Sequence, residues 1–274
     1  MANAVCVYVR NEQDDILEWI IYNTVIGFDT VIVMDNLSDD NTVAQARRAQ
    51  AHFDVRIESW PDTSAHAQRK CYDHVLQTYG PEFEWIAFID SDEFIVPVQH
   101  GSVPAFLASL PPHAAIGLNW AIYGSSGHEA TPGALVIDSF RHRAEASFLP
   151  NRHIKSFVQP ALTASCAHPH LFHLKDERWD ADGRYRSDYI DAKGHMIEWG
   201  PEPGLTLDAP DLSVCRVNHY FTRSRAHWMR KMDRRWRDVE RSDDAFLHHD
   251  RNEIPDDTAT VFLDRVRAAI ASLG

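Results

Sequence analysis

What the sequence lacks narrows it first. Its four cysteines, Cys6, Cys71, Cys166 and Cys215, are widely spaced and form no C-x-x-C pair. That excludes a zinc ribbon or a thioredoxin-type motif and leaves buried free thiols as the expectation. No stretch approaches the ~18 consecutive apolar residues of a membrane-spanning helix. The opening MANAVCVYVRNEQDD has no basic segment followed by a long apolar one, so no secretory leader is expected and the chain reads as soluble, reduced and cytoplasmic. Positive charge is scarce: 27 Lys and Arg stand against 40 Asp and Glu, a formal charge of −13 over 274 residues. Such a surface repels phosphate backbones and anionic headgroups, so nucleic acid is not an expected partner, and any anionic ligand needs a local seat of positive charge. Neither G-x-G-x-x-G nor G-x-x-x-x-G-K-[ST] occurs, which leaves a dinucleotide dehydrogenase or a P-loop NTPase without its phosphate cradle. There is no internal repeat and no low-complexity tract.

What is present is a globular balance, with 44% hydrophobic residues, 24% charged residues and eight Trp. The first hundred residues alternate short apolar runs with amphipathic segments, the pattern of βαβ units around a mostly parallel sheet. Strands are expected at Ala4–Val9, Thr30–Met34, Val55–Ser59 and Trp85–Ile89. Helices are expected over Ile16–Ile26, capped by Asp14 or Asp15 and ended by Gly27, from Asp39 or Asp40 to about Gln50, and over Ala65–Tyr79. Further on, Val103–Ser109 reads as a helix, and Ala115–Trp120, Leu135–Phe140 and Ile154–Val158 read as strands. Residues 175–211 read as a long surface excursion. Arg223–Glu240 reads as a basic, aromatic-bearing helix and Thr258–Ser272 as an amphipathic one.

The sharpest chemical feature is Asp90-Ser91-Asp92. An Asp-x-Asp arises by composition roughly once in a chain of this size, and Asp180-Ala181-Asp182 is such a case, set in a polar, irregular stretch. Asp90 instead directly follows the apolar run WIAFI. At the carboxyl end of a buried parallel strand, side chains face the crevice where α/β proteins bind ligands. Two carboxylates held close need a cation between them, and Mg²⁺ or Mn²⁺ meets that need while keeping positions open for phosphate oxygens. The alternative is that both simply cap the next turn. The ends of the first two strands are polar as well: Arg10-Asn11-Glu12 and Asp35-Asn36 can line a nucleotide pocket, or can be ordinary loop formers.

Among the sixteen histidines, His168, His170, His173 and His219 stand in segments with few other charges. A neutral imidazole suits Mn²⁺, although a lone histidine on an apolar segment is more often a hydrogen-bonded core residue. The run Arg223 to Lys231 places Arg223, His227 and Arg230 or Lys231 near one helical face. That stripe is a natural seat for a diphosphate in an acidic chain, or an ion-paired outer face. Lys155 sits alone in an apolar segment, so either a carboxylate or a ligand must meet its charge.

Taken together these stretches resemble the family-2-like glycosyltransferases of the GT-A fold, in the branch related to family 92. The matching segments are VRNEQDDILEWIIYNTVIGFDTVIVMDNLSDDNT at 9–42, WIAFIDSDEFIVP at 85–97, IYGSSGH at 122–128, IKSFVQP at 154–160, HPHLFHL at 168–174 and VNHYFTRSRAHWMRK at 217–231. The resemblance implies an α/β, Rossmann-like, mostly parallel sheet flanked by helices, followed by a C-terminal helical segment. Residues 1–100 would be the donor-binding half, 101–222 the acceptor-side half of the same domain, and 223–274 the C-terminal helices.

It implies a nucleotide-sugar donor contacted by Arg10, Glu12 and Asp35, with Asp90 and Asp92 as the family's DxD at the metal, Mn²⁺ or Mg²⁺, and the ribose. His219, with His170 as rival, would be a further metal ligand. Arg223 and Lys231 would neutralise the diphosphate, Lys155 matches a recurring Lys-Ser, and Glu129, Asp176 and Glu177 are candidates for the catalytic base. The implied reaction is metal-dependent hexosyl transfer with inversion, galactose or glucose from a UDP-sugar being favoured. The acceptor would be a glycan or glycolipid, in surface polysaccharide or lipopolysaccharide biosynthesis. A membrane-borne acceptor would be met peripherally. A metal-dependent phosphoesterase built on Asp90, Asp92 and the histidines, or a sugar nucleotidyltransferase, are the competing readings.

Overall fold

The computed structural model describes residues 2–179, 185–233 and 242–274. Its main sheet has nine strands, β1 (Asn3–Val9), β2 (Thr30–Asp35), β3 (Val55–Ser59), β4 (Trp85–Phe88), β5 (Glu93–Val96), β6 (Ala115–Ile122), β7 (Ile154–Val158), β8 (Tyr189–Ile190) and β9 (Arg216–His219). They lie in the order β3-β2-β1-β4-β7-β6-β9-β5, with β8 also against β6. Strands β1 to β4 are mutually parallel, β8 and β9 run parallel to β6, β7 is antiparallel to both its neighbours, and β5 is antiparallel to β9. Helices α1 (Ile16–Val25), α2 (Thr42–Gln50) and α3 (Ala67–Thr78) provide the crossovers. This is the expected GT-A-type α/β arrangement.

The apolar run of β1 is buried on both faces, as a central parallel strand must be. Its alternate residues serve two cores. Val5, Val7 and Val9 pack with Trp19 and Ile20 of α1, Ala46 of α2, and Leu263 and Val266 near the C-terminus. Ala4 and Cys6 pack with Cys71, Tyr72 and Val75 of α3 and with Phe172. All four cysteines are free and buried. Gly27 ends α1 with φ +105°, where a Cβ would also stand 2.8 Å from the Pro104 ring.

Several sequence expectations need correction. Leu135–Phe140 is not a strand: Val136–Ser139 forms a short helix, α5, after α4 (Val103–Ser109). The buried carboxylate of Glu18 accepts the N–H groups of Val136 (2.7 Å) and Ile137 (3.1 Å), which holds the backbone in a helical turn. The stretch 175–211 is not wholly a surface excursion, because Tyr189–Ile190 joins the main sheet. Tyr189 is fully buried and its hydroxyl donates to Ser156 Oγ at 3.0 Å. Asp180 and Asp182 lie outside the described residues.

The basic helix, α6, starts at Arg225 and is described to Asp233; residues 234–241 lie outside the described residues. Arg223 precedes it with φ +50°, so it belongs to the entering turn rather than to a helical face. Asp15 is the N-cap of α1 by position only, since its carboxylate pairs with Arg223 instead of the helix N–H groups. Asn41 is the N-cap of α2, and Asp40 accepts from Thr42 N–H at 2.8 Å.

The segment after α7 (Asp243–His249) is fastened to the sheet through Asp256, which accepts from Arg216 Nη2 at 2.8 Å and from Arg143 Nε at 2.6 Å. Burial opposes ionisation of Asp256, but Arg216 and Arg143 outweigh it and hold its carboxyl well below the usual range. Asp256→Ala leaves the buried Arg216 without its carboxylate partner and is expected to cost about 3–5 kcal/mol in urea unfolding. The contribution is present above the ordinary aspartate range and lost in acid, so the gap between wild type and variant should close as pH falls.

Candidate functional site

The Asp90–Asp92 turn leaves the carboxyl end of β4 and returns as β5. Trp19 of α1 pins it, its indole N–H shared between the carbonyls of Asp90 (3.1 Å) and Glu93 (2.9 Å). Inside the turn, Glu93 Oε2 accepts the Asp90 N–H at 2.8 Å, and the Asp92 carbonyl accepts the Tyr220 N–H at 2.9 Å. The turn is thus tied to α1 and to the chain leaving β9.

Sheet register brings the remaining groups to it. Because β7 is antiparallel to β4, with Ser156 opposite Phe88, Lys155 emerges beside Asp90. Its Nζ lies 2.5 Å from Asp90 Oδ2 and 3.4 Å from Glu93 Oε2. Gln68 of α3 donates to Asp90 Oδ1 at 2.8 Å. In the β5–β9 pair His219 stands opposite Glu93. Its Nε2 is 3.5 Å from Asp92 Oδ1, and its Nδ1 is 3.8 Å from Glu93 Oε1. From α6, Lys231 reaches Asp92 Oδ2 at 2.9 Å and Glu12 Oε1 at 4.0 Å. Arg223 pairs with Asp15 and donates to the Ser91 carbonyl at 3.4 Å.

Burial alone would drive these carboxyls neutral, and the cations decide which stay ionised. Burial opposes ionisation of Asp92, but Lys231, His219 and Arg223 overcome it and hold Asp92 well below the usual range. Glu93 has no exposure; burial pushes it up to about 7, with Lys155 only partly opposing. Glu12 is likewise raised by burial against the pull of Lys231. Burial works to lower Lys155, yet Asp90 and Glu93 raise it above its ordinary value. Asp90 is the open member of the group, with 35% of its side chain exposed against 11% for Asp92.

Of the residues picked out from sequence, Glu12, Asp90, Asp92, Lys155, His219, Arg223 and Lys231 therefore belong to one linked cluster. Asp35 is buried at the end of β2, opposite Val9, and accepts weakly from Ser38 N–H at 3.3 Å. Arg10 is half-buried at the neighbouring strand end. Those two loops are cross-linked by Asn11 N–H to Ser38 Oγ (2.9 Å) and Glu12 N–H to Thr42 Oγ1 (2.7 Å).

His170 stands apart from the carboxylates. Its Nδ1 bonds the Ile154 carbonyl at 2.8 Å, and its ring packs on Trp120, which also contacts His219. Burial and then Lys155 push His170 well below the usual histidine range. Glu129 and Asp176 are exposed, and neither carboxylate is joined to the cluster by a contact among the described residues. The Glu129 carbonyl accepts the Ala226 N–H at the start of α6. The Glu177 carboxylate faces His173, at 2.7 Å, in the same exposed hairpin region as Asp176. Sequence reasoning did not give Glu93, Asp15, Gln68 or Trp19 a place in the site. Only Glu93 carried a signal, its adjacency to Asp92.

Among the described residues no three His, Cys, Asp or Glu side chains converge as a ready metal site. Asp92 and His219 do present a carboxylate oxygen and an imidazole nitrogen to one another. That two-donor set fits Mg²⁺ or Mn²⁺, ions that take their remaining ligands from water and phosphate. Asp90, engaged by Lys155 and Gln68, does not converge on the same point.

The fold and the acidic strand end define an α/β protein with a charged cluster at the carboxyl edge of its mostly parallel sheet. Residues 3–194 match the sequence model of glycosyltransferase family 92, and the chain belongs to that family. It is 32% identical over 183 residues to a family 92 protein of Oryza sativa subsp. japonica, a match covering 63% of this chain and 30% of the relative. A family 92 protein of Arabidopsis thaliana is 27% identical over 191 residues, covering 63% and 31%. The chain thus spans about a third of the length of the curated relatives it matches. Among solved structures, S. aureus TarS 1-349 is 18% identical with a TM-score of 0.42, covering 59% of this chain and 48% of that one. Similarity at that level does not extend to function.

Lys155→Met tests the electrostatics of the cluster. Without the lysine, Glu93 rises further above its unfolded value, and a carboxyl with a raised folded pKa loses stability as pH climbs from the unfolded value through the folded one. In metal-free buffer the variant should be destabilised by about 3 kcal/mol near pH 8, and clearly less near pH 5.5. Equal losses at both would show that Lys155 does not govern Glu93.

Proposed function

We propose that this chain catalyses metal-dependent transfer of a hexose, galactose or glucose being favoured, from a UDP-sugar to a hydroxyl of a glycan or glycolipid. Transfer would invert the anomeric centre and serve surface polysaccharide or lipopolysaccharide biosynthesis. The observation that carries the reading is the convergence, in a family 92 chain, of Asp92 and His219 with Lys231 and Arg223 at the carboxyl edge of the sheet. Bond breaking at the anomeric carbon sends negative charge onto the departing diphosphate, and a preorganised cationic wall is what that charge requires.

Asp92 and His219 would hold the Mn²⁺ or Mg²⁺, which supplies Lewis-acid stabilisation of the diphosphate when bound. Lys231 and Arg223 add fixed positive charge from the α6 side. Ion pairs with Asp92, Glu12 and Asp15 already hold both side chains at the strand ends, so little reorganisation would be needed. Asp90, the most accessible carboxylate of the cluster, would accept from the ribose, while Asp35 would accept from the nucleoside and Arg10 would donate to it. His170, bonded through Nδ1 to a backbone carbonyl, is the weaker metal candidate. Proton removal from the acceptor falls to Glu129 or Asp176. Glu129 is favoured because its peptide carbonyl is fastened to the start of the helix that carries Lys231. A general base is typically worth about 10²–10⁴-fold.

Hydrolysis and transfer with a panel of UDP- and GDP-sugars, with and without Mn²⁺, test the reading directly. Asp92→Asn is expected to lower metal-dependent turnover by about 10²–10³-fold, the scale of losing one transition-state charge interaction, with the fold retained by circular dichroism. Asp176→Asn should leave turnover within a few-fold of wild type, whereas Glu129→Gln should lower kcat. Unchanged turnover in Asp92→Asn would refute this assignment.

A further inference from the structure

Gln68, in the first turn of α3, ties the most accessible carboxylate of the cluster to the core. Its side-chain nitrogen donates to two acceptors, Asp90 Oδ1 at 2.8 Å and the Tyr72 hydroxyl at 2.9 Å. A carboxylate only accepts, so the nitrogen of the amide, not its oxygen, must face Asp90. Tyr72 stands one turn along the same face of α3 and is fully buried. Its ring packs at 4.7 Å on Phe88, the residue of β4 that lies just before Ile89 and Asp90. The amide is thereby fixed against the strand that carries the carboxylate it holds.

Charge balance does not call for this contact. Lys155 already lies 2.5 Å from Asp90 Oδ2, and Asp90, with 35% of its side chain exposed, has water within reach. Gln68 is itself only half-buried. Where water can donate instead, a hydrogen bond from a neutral amide contributes little against the side-chain entropy that ordering the glutamine costs. What the two contacts supply is direction. With one oxygen held by Gln68 and the other by Lys155, the plane of the carboxylate is fixed, while each oxygen keeps a further lone-pair site for a ligand.

We infer that Gln68 is a positioning residue: it sets the Asp90 carboxylate in the orientation that accepts ribose hydroxyls, and so determines the preference for a ribonucleotide over a deoxyribonucleotide. The inference rests on the ribose contact given to Asp90 in the proposed function, and extends it to a residue outside the strand-end turn. A site arranged to accept a hydroxyl proton discriminates against the analogue that lacks the hydroxyl, because its acceptor then faces no donor. An accessible carboxylate recovers part of that loss from water, so discrimination of about tenfold is expected, far below that of a sealed site. Without Gln68, Asp90 can turn about its Lys155 contact, and the loss falls on the hydroxyl bonds.

Isothermal titration of the full chain with UDP, 2′-deoxy-UDP and 3′-deoxy-UDP, all in Mn²⁺, tests this. Wild type should bind UDP about tenfold more tightly than at least one deoxy analogue. In Gln68→Ala that ratio should fall to about twofold or less, through weaker binding of UDP with the affinity for the deoxy analogue little changed. Tyr72→Phe keeps the ring packing, removes the acceptor that anchors Gln68, and should lower the ratio partway. A purely structural role would weaken all three nucleotides alike and leave the ratio intact. An undiminished ratio in folded Gln68→Ala, or in Tyr72→Phe should Gln68→Ala not fold, overturns the role of Gln68. So does a wild type that binds all three equally, and in both cases the UDP-sugar reading stands. A wild type that binds no UDP overturns that reading, and the role of Gln68 falls with it.

Discussion

Placing several carboxylates in one buried turn is costly, because each ion withdrawn from water loses several kcal/mol that only close, well-aligned countercharges return. In this protein the turn at the end of β4 concentrates Asp90, Asp92 and Glu93, and Glu12 and Asp15 come from the loop after β1. The cations that answer them lie far along the chain: Lys155 on β7, Arg223 before α6, and Lys231 within it. Charge balance therefore obliges the two halves of the chain to close on the same sheet edge. The strand pairings β4–β7 and β5–β9 are the means by which they do so.

That closure leaves the pairs unequal. Lys155 serves two carboxylates at once, and Glu93 is left raised while Asp92 is held firmly ionised. Asp90 keeps the exposure that the others lose. A site divided in this way has a buried part that fixes geometry, an ionised Asp92 facing His219, and one more accessible carboxylate, Asp90. In the function proposed above, negative charge building on a leaving diphosphate would meet donors already in place, which cost little reorganisation as charge develops.

Much of the donor-side fold could be read from the chain itself. Continuous apolar runs such as AVCVYV and WIAFI, separated by helical periods, have few solutions other than parallel strands with crossover helices. The position of Asp90 at a strand end distinguished it from a composition-matched Asp-x-Asp elsewhere. What escaped was set by partners distant in sequence. Glu18 turns residues 136–139 into a helix from more than a hundred positions away, and a two-residue strand at Tyr189–Ile190 is too short to carry a period. Asp15 looks like a helix cap until Arg223 claims it. Glu93 sat beside the motif in plain view, but its importance depends on a register that brings His219 across from it, and no local pattern encodes that.

In the function proposed, Asp92 and His219 jointly receive a divalent ion at the diphosphate of a nucleotide sugar. Crystals grown with Mn²⁺ and UDP, with data collected to give the anomalous signal of manganese, would test it most directly. The expected map has one strong peak within bonding distance of an Asp92 carboxylate oxygen and His219 Nε2, with the diphosphate on its far side toward Lys231 and Arg223. A bound UDP whose manganese peak lies away from Asp92, or a nucleotide seated elsewhere than the carboxyl edge of the sheet, would contradict it.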